Sequence, residues 1–435
     1  MTPVLALTAA IAMALVVFRA ATQAITIDEA TTYVLFVQND MPFHWLGSTN
    51  NHVLNTALMR LTTRLFGVSE WSARLPALLG TALYITACYQ FCKRLRGGLL
   101  LQWAALVCLT FSPFVMDYLV AARGYSLALG FLMTALLCDP KKLSGCIWAS
   151  IAIGFCFASN FSFAFVCAAT LGLLFVASWR ETDIPRSKLV AAYALPAILI
   201  TILISAPSLL TFPRAELTFG KHSLAESLAS LLEPQAGRYS PWLLVLPAVL
   251  ALASLRNATG YFSTAFAATL ALHIGGFHLL GLLYPWGRTG IFFVPLLVGA
   301  IAGLGTRTAT AALLFVAAMN VTSIRLDHFE AWPFDADTDK VYAVASCLHE
   351  KHKVNRFAAG WPHAAAMNFY RGSRFAPVVG DVDAPADREA FIIDTKLNPT
   401  VIPERKLTTI WKSKRTDAAI AVPMPERFQG STCLE

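Results

Sequence analysis

Charge is scarce in this chain. Only 14% of its 435 residues are Asp, Glu, Lys or Arg, against about a quarter in a soluble globule, which excludes a free-standing soluble domain. Segments of about ten residues with strict alternation of polar and apolar side chains are missing too, so the chain is not a membrane barrel. No glycine-rich phosphate loop occurs, so nothing in the sequence points to a nucleotide. No single basic tract accounts for the net charge of +8. The positive residues are spread over short loops, which argues against a nucleic-acid partner and fits topology and lipid contact. Cysteines and histidines never stand together at metal-ligand spacing, and there is no internal repeat. The first twenty residues lack the basic start of a signal peptide, and their apolar run exceeds such a peptide's core, so they read as a retained first helix.

What is abundant is apolar sequence, 56% of the chain, in runs of about 15 to 24 residues, the length a helix needs to cross a bilayer. The expected fold is an all-α polytopic membrane bundle. Polar, proline and glycine punctuation divides it into about eleven spans, at 3–22, 76–92, 99–114, 124–138, 144–159, 161–178, 189–211, 241–255, 261–283, 290–306 and 308–324. With the N-terminus inside, basic segments such as Lys93-Arg94-Leu95-Arg96 and Lys141-Lys142 face the cytoplasm. The loop 23–76, the turn at Asp117 to Arg123, the Tyr284 to Gly290 turn and everything after Arg325 then face outward. The expectation is an integral protein of a bacterial inner membrane with its working face and C-terminal part in the periplasm.

After Arg325 charges become frequent. A helical pattern at Val341 to His349 is followed by apolar, β-prone runs at Arg356 to Gly360, Phe375 to Val379, Ala390 to Asp394 and Ala418 to Val422, which predicts a small extramembrane α/β domain. The division is thus 1–324, including the outer loop 23–76, and 325–435. Seven of the nine cysteines fall in or beside apolar spans and read as small core residues. Cys347 and Cys433 lie in the exported part, where they can pair or stay free thiols.

The polar stretch Ile25 to Pro76 carries the best claim to chemistry. It opens with Asp28 and Glu29 just past the first span. Leu54, Ala57, Leu58, Leu61 and Leu65 then recur at helical spacing, an amphipathic helix in the membrane surface. Joining a hydroxyl to an activated sugar carbon needs a carboxylate to take the hydroxyl proton and cations to hold a phosphate leaving group. Asp28 and Glu29 offer the first. Arg123, in AARGYSL, and Arg288, in YPWGRTG, offer the second at headgroup depth. Paired carboxylates can also hold a divalent cation, with Asp117 as third ligand; otherwise Asp117 is a solvated turn residue. His44 and His52 share the loop with the acids, whereas His273 and His278 lie five apart on nearly opposite faces of one span and read as structural. Met41-Pro42-Phe43 and Phe212-Pro213 punctuate loops that could gate a site.

These stretches resemble the GT-C membrane glycosyltransferases, specifically the protein O-mannosyltransferase-like and aminoarabinose transferase-like group. The matching segments are Asp28-Glu29-Ala30, then Asn51-His52-Val53-Leu54-Asn55-Thr56, then LFGVSEWSARLPALLG from Leu65 to Gly80. SPFVMDYLVAARGYSL from Ser112 to Leu127 and YPWGRTGIFFVPL from Tyr284 to Leu296 look like the group's later outer turns. The resemblance implies Asp28 as catalytic base, Glu29 as its neighbour in the acceptor or metal shell, Arg123 and Arg288 on the donor phosphate, and His52, Asn55 and Tyr125 beside the substrate. Where many relatives read His-Pro-Pro-Leu, this chain has His52-Val53-Leu54.

The function so implied is inverting transfer of a sugar from a polyprenyl-phosphate donor to a hydroxyl of a glycan, lipid or protein acceptor on the outer face, with membrane lipids as surroundings. No cofactor is required by the residues, although a divalent cation fits the acid pair. A transporter or flippase of lipid-linked sugars is the alternative, and it would place polar residues near mid-membrane in two repeated halves. A scaffold whose exported domain binds a partner is a third.

Overall fold

The computed structural model describes residues 2–38, 46–213, 216–217, 219–245, 247, 249–250, 260–373, 378–381 and 388–434. His44, the Met41-Pro42-Phe43 punctuation and most of the C-terminal half of the expected span 241–255 lie outside these residues. The chain forms two compact units. The first comprises Met1–Phe18, His44–Leu58 and Pro76–Ile324, and the second Arg19–Phe43, Met59–Leu75 and Arg325–Glu435. The loop 23–76 is therefore divided, with most of it belonging to the unit that contains the C-terminal residues.

The first unit is helical. In chain order the helices are α1 (Thr2–Thr22), α2 (Ile27–Thr32), α3 (Val53–Phe66), α4 (Glu70–Arg94), α5 (Leu99–Thr110), α6 (Pro113–Val120), α7 (Tyr125–Leu137), α8 (Leu143–Ser159), α9 (Ala164–Glu181), α10 (Arg186–Leu210), α11 (Leu224–Ala236), α12 (Tyr261–Leu280), α13 (Phe293–Gly303) and α14 (Arg307–Ser323). Of these α2 lies wholly in the second unit, while α1, α3 and α4 run from one unit into the other. Among the described residues five helices are long and apolar enough to cross a bilayer, namely α1, α4, α9 with the 3-10 turn before it, α10 and α12. The number rises to six if α5 and α6, bent by 55° at their junction, are one span. That makes the chain an integral membrane protein. Eleven spans are not confirmed among the described residues: α7, α8 and α13 are apolar helices of only 10–17 residues.

Local chemistry sets the breaks. Ser112 caps α6, its Oγ accepting the Val115 amide at 3.2 Å, with Pro113 in the first turn where its missing N–H costs nothing. Thr306 caps α14 in the same way through the Ala309 amide, at 3.1 Å. Helices α4 and α7 approach so closely that a Cβ on Gly80 would meet the backbone of Leu127, and one on Gly130 the Gly80 carbonyl. Cys88, Cys92, Cys108, Cys146, Cys156 and Cys167 are buried free thiols of this unit.

The second unit is built on a five-stranded sheet of β1 (Arg356–Ala359), β2 (Val378–Asp381), β3 (Ala390–Asp394), β4 (Thr408–Lys412) and β5 (Ala418–Val422), in the order β2-β1-β3-β5-β4. Strand β1 runs parallel to β2 and β3, while β5 is antiparallel to β3 and β4. Every residue of β3 and β5 is buried, as expected of continuous apolar runs in central strands. Helices α15 (Thr338–His352) and α16 (His363–Ser373) accompany the sheet. Cys347 and Cys433 form a disulfide within this unit. The short α2 packs on α16, with Tyr33 edge-on to Phe369 at 5.2 Å and the Ile25 amide donating to the Tyr370 hydroxyl at 3.2 Å.

Candidate active site

The acid pair sits in the first turn of α2, in the second unit. Thr26 caps the helix: its Oγ1 accepts the Glu29 amide at 3.2 Å, while Glu29 Oε2 accepts the Thr26 amide at 2.9 Å, a reciprocal capping box. Glu29 is fully buried and also faces Arg74, whose Nε reaches Oε1 at 2.9 Å and whose Nη2 reaches Oε2 at 2.7 Å. The other guanidinium hydrogens of Arg74 go to the carbonyls of Ala20 (3.1 Å), Gln23 (2.7 Å) and Ala24 (2.8 Å). One arginine thus fastens the whole 20–29 turn, and both Glu29 oxygens are engaged in that fastening rather than open to a substrate or metal. Asp28, next along the turn, is half-buried.

Asp335 closes the other side of this turn. Its Oδ2 accepts the Ile27 amide at 2.7 Å, and burial, reinforced by the nearby Asp28 and Glu29 charges, pushes its carboxyl well above the usual range. Among the described residues no group of three His, Cys, Asp or Glu side chains is placed to hold a metal ion. Asp117 is not a solvated turn residue either. It lies within α6 and is 2% exposed.

The arginines of the sequence reading line a cavity of about 500 Å³ in the first unit. Arg123 follows the end of α6 and is buried. Its Nη2 donates to Asn50 Oδ1 at 2.9 Å and its Nη1 to the Asn50 carbonyl at 3.2 Å. The turn that carries it is held by Asn55, whose Nδ2 donates to the Ala122 carbonyl at 2.9 Å. Gly124 then takes φ +72°, and a Cβ there would run into the Ser159 carbonyl, so Arg-Gly is a structural pair. Arg288 comes from the 3-10 turn Gly287–Gly290, with Thr289 Oγ1 accepting the Trp286 amide at 2.8 Å, and its guanidinium lies 5.9 Å from the Phe219 ring centre.

His52 and Tyr125 line the same cavity, their rings 5.5 Å apart. Burial first, and then the Arg123 and Arg288 charges, lower the His52 imidazole well below its ordinary pKa, so it is neutral at physiological pH. Thr56 Oγ1 donates to Asn51 Oδ1 at 2.8 Å and Asn51 Nδ2 to the Leu46 carbonyl at 2.9 Å. Hydrogen bonds of the TNNHVLNT stretch thus shape the loop without the prolines of the family pattern.

Three cavity residues were not singled out in the sequence as ligands. Asn160 uses its Oδ1 to cap the turn at Phe161–Phe163 through Ser162, at 3.0 Å, while its Nδ2 has no hydrogen-bond partner among the described residues. His273, read as structural, also lines the cavity, its ring packed on Phe165 and Phe292, whereas His278 is exposed. Glu216 ties two loops together by accepting the Thr49 amide at 2.5 Å and the Ser48 hydroxyl at 3.0 Å. Burial alone would raise its carboxyl; the Thr49 and Ser48 donors hold it below the usual range. Phe161, Phe165, Phe212 and Phe219 supply apolar wall. Two cations and an aromatic wall suit a ligand with an anionic head and a hydrocarbon tail.

Neither a protein-family model nor a curated protein matches this chain. Among solved structures it is similar to the arabinofuranosyltransferase AftD from Mycobacteria, with a TM-score of 0.50 and 17% identity over 97% of this chain and 41% of that one. The fold is that of the GT-C class of membrane glycosyltransferases. ArnT from Cupriavidus metallidurans is also similar, with a TM-score of 0.47 in both its apo form (13% identity) and its form bound to undecaprenyl phosphate (14% identity), over 98% of this chain and 99% of ArnT. This chain spans about two fifths of AftD.

Proposed function

We propose that this protein is a glycosyltransferase that moves a sugar from a polyprenyl-phosphate carrier to an acceptor hydroxyl on the outer face of the membrane. The observation that carries the reading is the first unit's cavity, where Arg123 and Arg288 stand beside Asn160 in an aromatic-walled space. ArnT, a structure with the same overall extent, has been seen with undecaprenyl phosphate, a ligand of the chemistry this cavity would take.

Arg123 and Arg288 would bind the donor phosphate and offset the charge that grows on it as the bond to the sugar breaks. Neutral His52 adds no charge of its own and, with Tyr125, shapes the cavity around the donor. Asp28 is assigned the base on the sequence resemblance. It takes the acceptor's hydroxyl proton, the freed oxygen attacks the anomeric carbon, and the carbon–oxygen bond to phosphate breaks with its electron pair leaving on polyprenyl phosphate. A single displacement inverts that carbon. Glu29 serves by fixing the turn that presents Asp28. The acceptor is a hydroxyl of a glycan, lipid or protein, and the active face and C-terminal unit are assigned to the periplasm of a bacterial inner membrane.

The test is turnover of a panel of polyprenyl-phosphate sugars by the full chain in nanodiscs, read as release of polyprenyl phosphate, with and without chelator. Turnover by wild type and its loss in a folded Asp28→Asn protein support the reading. If no donor is consumed but labelled lipid changes leaflet in reconstituted vesicles, the chain is a transporter and the transferase reading fails.

A further inference from the structure

Glu216 lines the same cavity as Arg123 and Arg288 and takes no part in the displacement step. It is the sole acid among the described residues of that lining. Its Oε2 accepts three hydrogen bonds, from the Thr49 amide at 2.5 Å, the Thr49 hydroxyl at 2.8 Å and the Ser48 hydroxyl at 3.0 Å. Against the upward push of partial burial, these donors hold the carboxyl below its usual range, so it is ionised at physiological pH. An anion in such a cavity repels a phosphate. What it can contribute to binding is therefore what it holds in place.

It holds a turn. The Asn51 amide donates to the Ser48 carbonyl at 3.0 Å and the Asn50 amide to Ser48 Oγ at 3.2 Å, which closes residues 48–51 into one hydrogen-bonded loop. The two central residues bond different partners. Thr49 is tied to Glu216, while Asn50 takes two Arg123 hydrogens, at 2.9 Å through Oδ1 and at 3.2 Å through its carbonyl. A chain of hydrogen bonds thus runs from Glu216 through Ser48 and Asn50 to the Arg123 guanidinium. The base of the turn has its own anchor. The Gly47 amide donates to Thr211 Oγ1 at 3.1 Å, and a Cβ on Gly47 would collide with the Phe212 backbone. One anchor would leave the turn free to pivot; with Glu216 there are two, and the orientation of Asn50 is set.

We infer that Glu216 is a positioning residue for the donor phosphate: through the 48–51 turn it fixes the Arg123 guanidinium in the geometry that binds the phosphate. This rests on the reading of the cavity as the polyprenyl-phosphate site. The sign of the effect separates this role from a simple electrostatic one. By charge alone, removing a carboxylate from the cavity would tighten the binding of an anion. Loss of the second anchor instead loosens Arg123 and weakens binding.

The experiment is equilibrium binding of labelled undecaprenyl phosphate to the full chain in zwitterionic nanodiscs, with thermal unfolding to show that each variant is folded. Glu216→Ala is expected to bind about tenfold more weakly than wild type, the lower end of what a charge-assisted hydrogen bond contributes. Glu216→Gln, which keeps an oxygen to accept the Thr49 and Ser48 hydrogens, should recover most of that loss. In an Arg123→Gln background Glu216→Ala should cost nothing further, because the residue it acts through is gone. Binding by Glu216→Ala as tight as wild type or tighter, a Glu216→Gln protein no better than Glu216→Ala, or the same loss in both backgrounds would each overturn the inference. If wild type binds no undecaprenyl phosphate, the donor-site reading falls and the positioning role with it. If wild type binds and Arg123→Gln binds poorly while Glu216→Ala binds normally, the positioning role alone is lost.

Discussion

The Arg74 guanidinium and the Glu29 carboxylate form a two-pronged ion pair, at 2.9 and 2.7 Å, with both side chains wholly out of contact with solvent. Such a pair is costly to break from one side, because the partner is left as a buried unpaired charge, at about 3–5 kcal/mol. Arg74→Met is expected to lower the unfolding free energy by that amount, and Glu29→Gln by somewhat less, since the amide keeps an acceptor for the Arg74 hydrogens. The double variant Glu29→Gln/Arg74→Met should recover part of the loss. Thermal unfolding of detergent-solubilised protein checks this; additive losses would show that the two residues are not coupled.

Arg123 and Arg288 are expected to act on donor affinity rather than on folding. Arg123→Gln and Arg288→Gln should each weaken undecaprenyl phosphate binding by roughly tenfold to a hundredfold, the value of a charge-assisted hydrogen bond of about 1.5–3 kcal/mol. The readout is equilibrium binding of the labelled lipid. Affinity unchanged in both variants would remove the cavity from the mechanism.

Gly124 should tolerate no side chain. At φ +72°, with a Cβ directed into the Ser159 carbonyl, alanine suffers left-handed strain of about 1–2 kcal/mol in addition to the collision. Gly124→Ala is therefore expected to displace Arg123 and match Arg123→Gln in lipid binding. Wild-type binding by the alanine variant would contradict the turn geometry.

Acid should loosen the second unit through Asp337. Burial alone would raise this carboxyl, but the Arg415, Lys340 and Ser413 side chains bonded to it hold it well below the usual range. A depressed folded pKa gives stability that is complete above the unfolded value, about 3.9, and is lost as pH falls from there through the folded pKa. Asp337→Asn should lower stability at pH 7 and flatten the acid limb below about pH 4. Parallel pH–stability curves for wild type and variant would refute the assignment.

Reduction should reach the same unit by another route. The Cys347–Cys433 bridge joins residues 86 apart, and a disulfide is typically worth about 2–4 kcal/mol, at the upper end for a long loop. Cys347→Ser/Cys433→Ser is expected to lower the unfolding temperature under oxidising conditions and to be insensitive to reductant. A reductant effect as large in the variant as in wild type would show that the bridge is not its cause.

Long-range partners explain where the sequence was readable. The strands β1, β3 and β5 coincide with apolar runs because central strands bury both faces. Strand β4 did not stand out, since its residues are exposed or half-buried and its pairing with β5 supplies what local pattern does not. Among the described residues five or six of the eleven expected spans are confirmed, because an apolar run signals burial in lipid or in protein alike, and α7 and α13 are largely buried within the bundle. Glu29 looked like an open acid because its partner, Arg74, stands 45 positions away. Asn160 and His273 carried only a capping signal and an apolar neighbourhood, neither of which names a cavity.

Composition and periodicity by themselves determined that this is a helical membrane protein with a small α/β part, because the hydrophobic effect and backbone hydrogen bonding act on local sequence. They also marked Arg123 and Arg288, since charge at a span end is conspicuous. Tertiary structure alone decided that both arginines line one cavity, and that Glu29 is consumed by an ion pair while Asp28 is half-exposed beside it. Those are properties of distance between residues far apart in the chain, and only packing sets them.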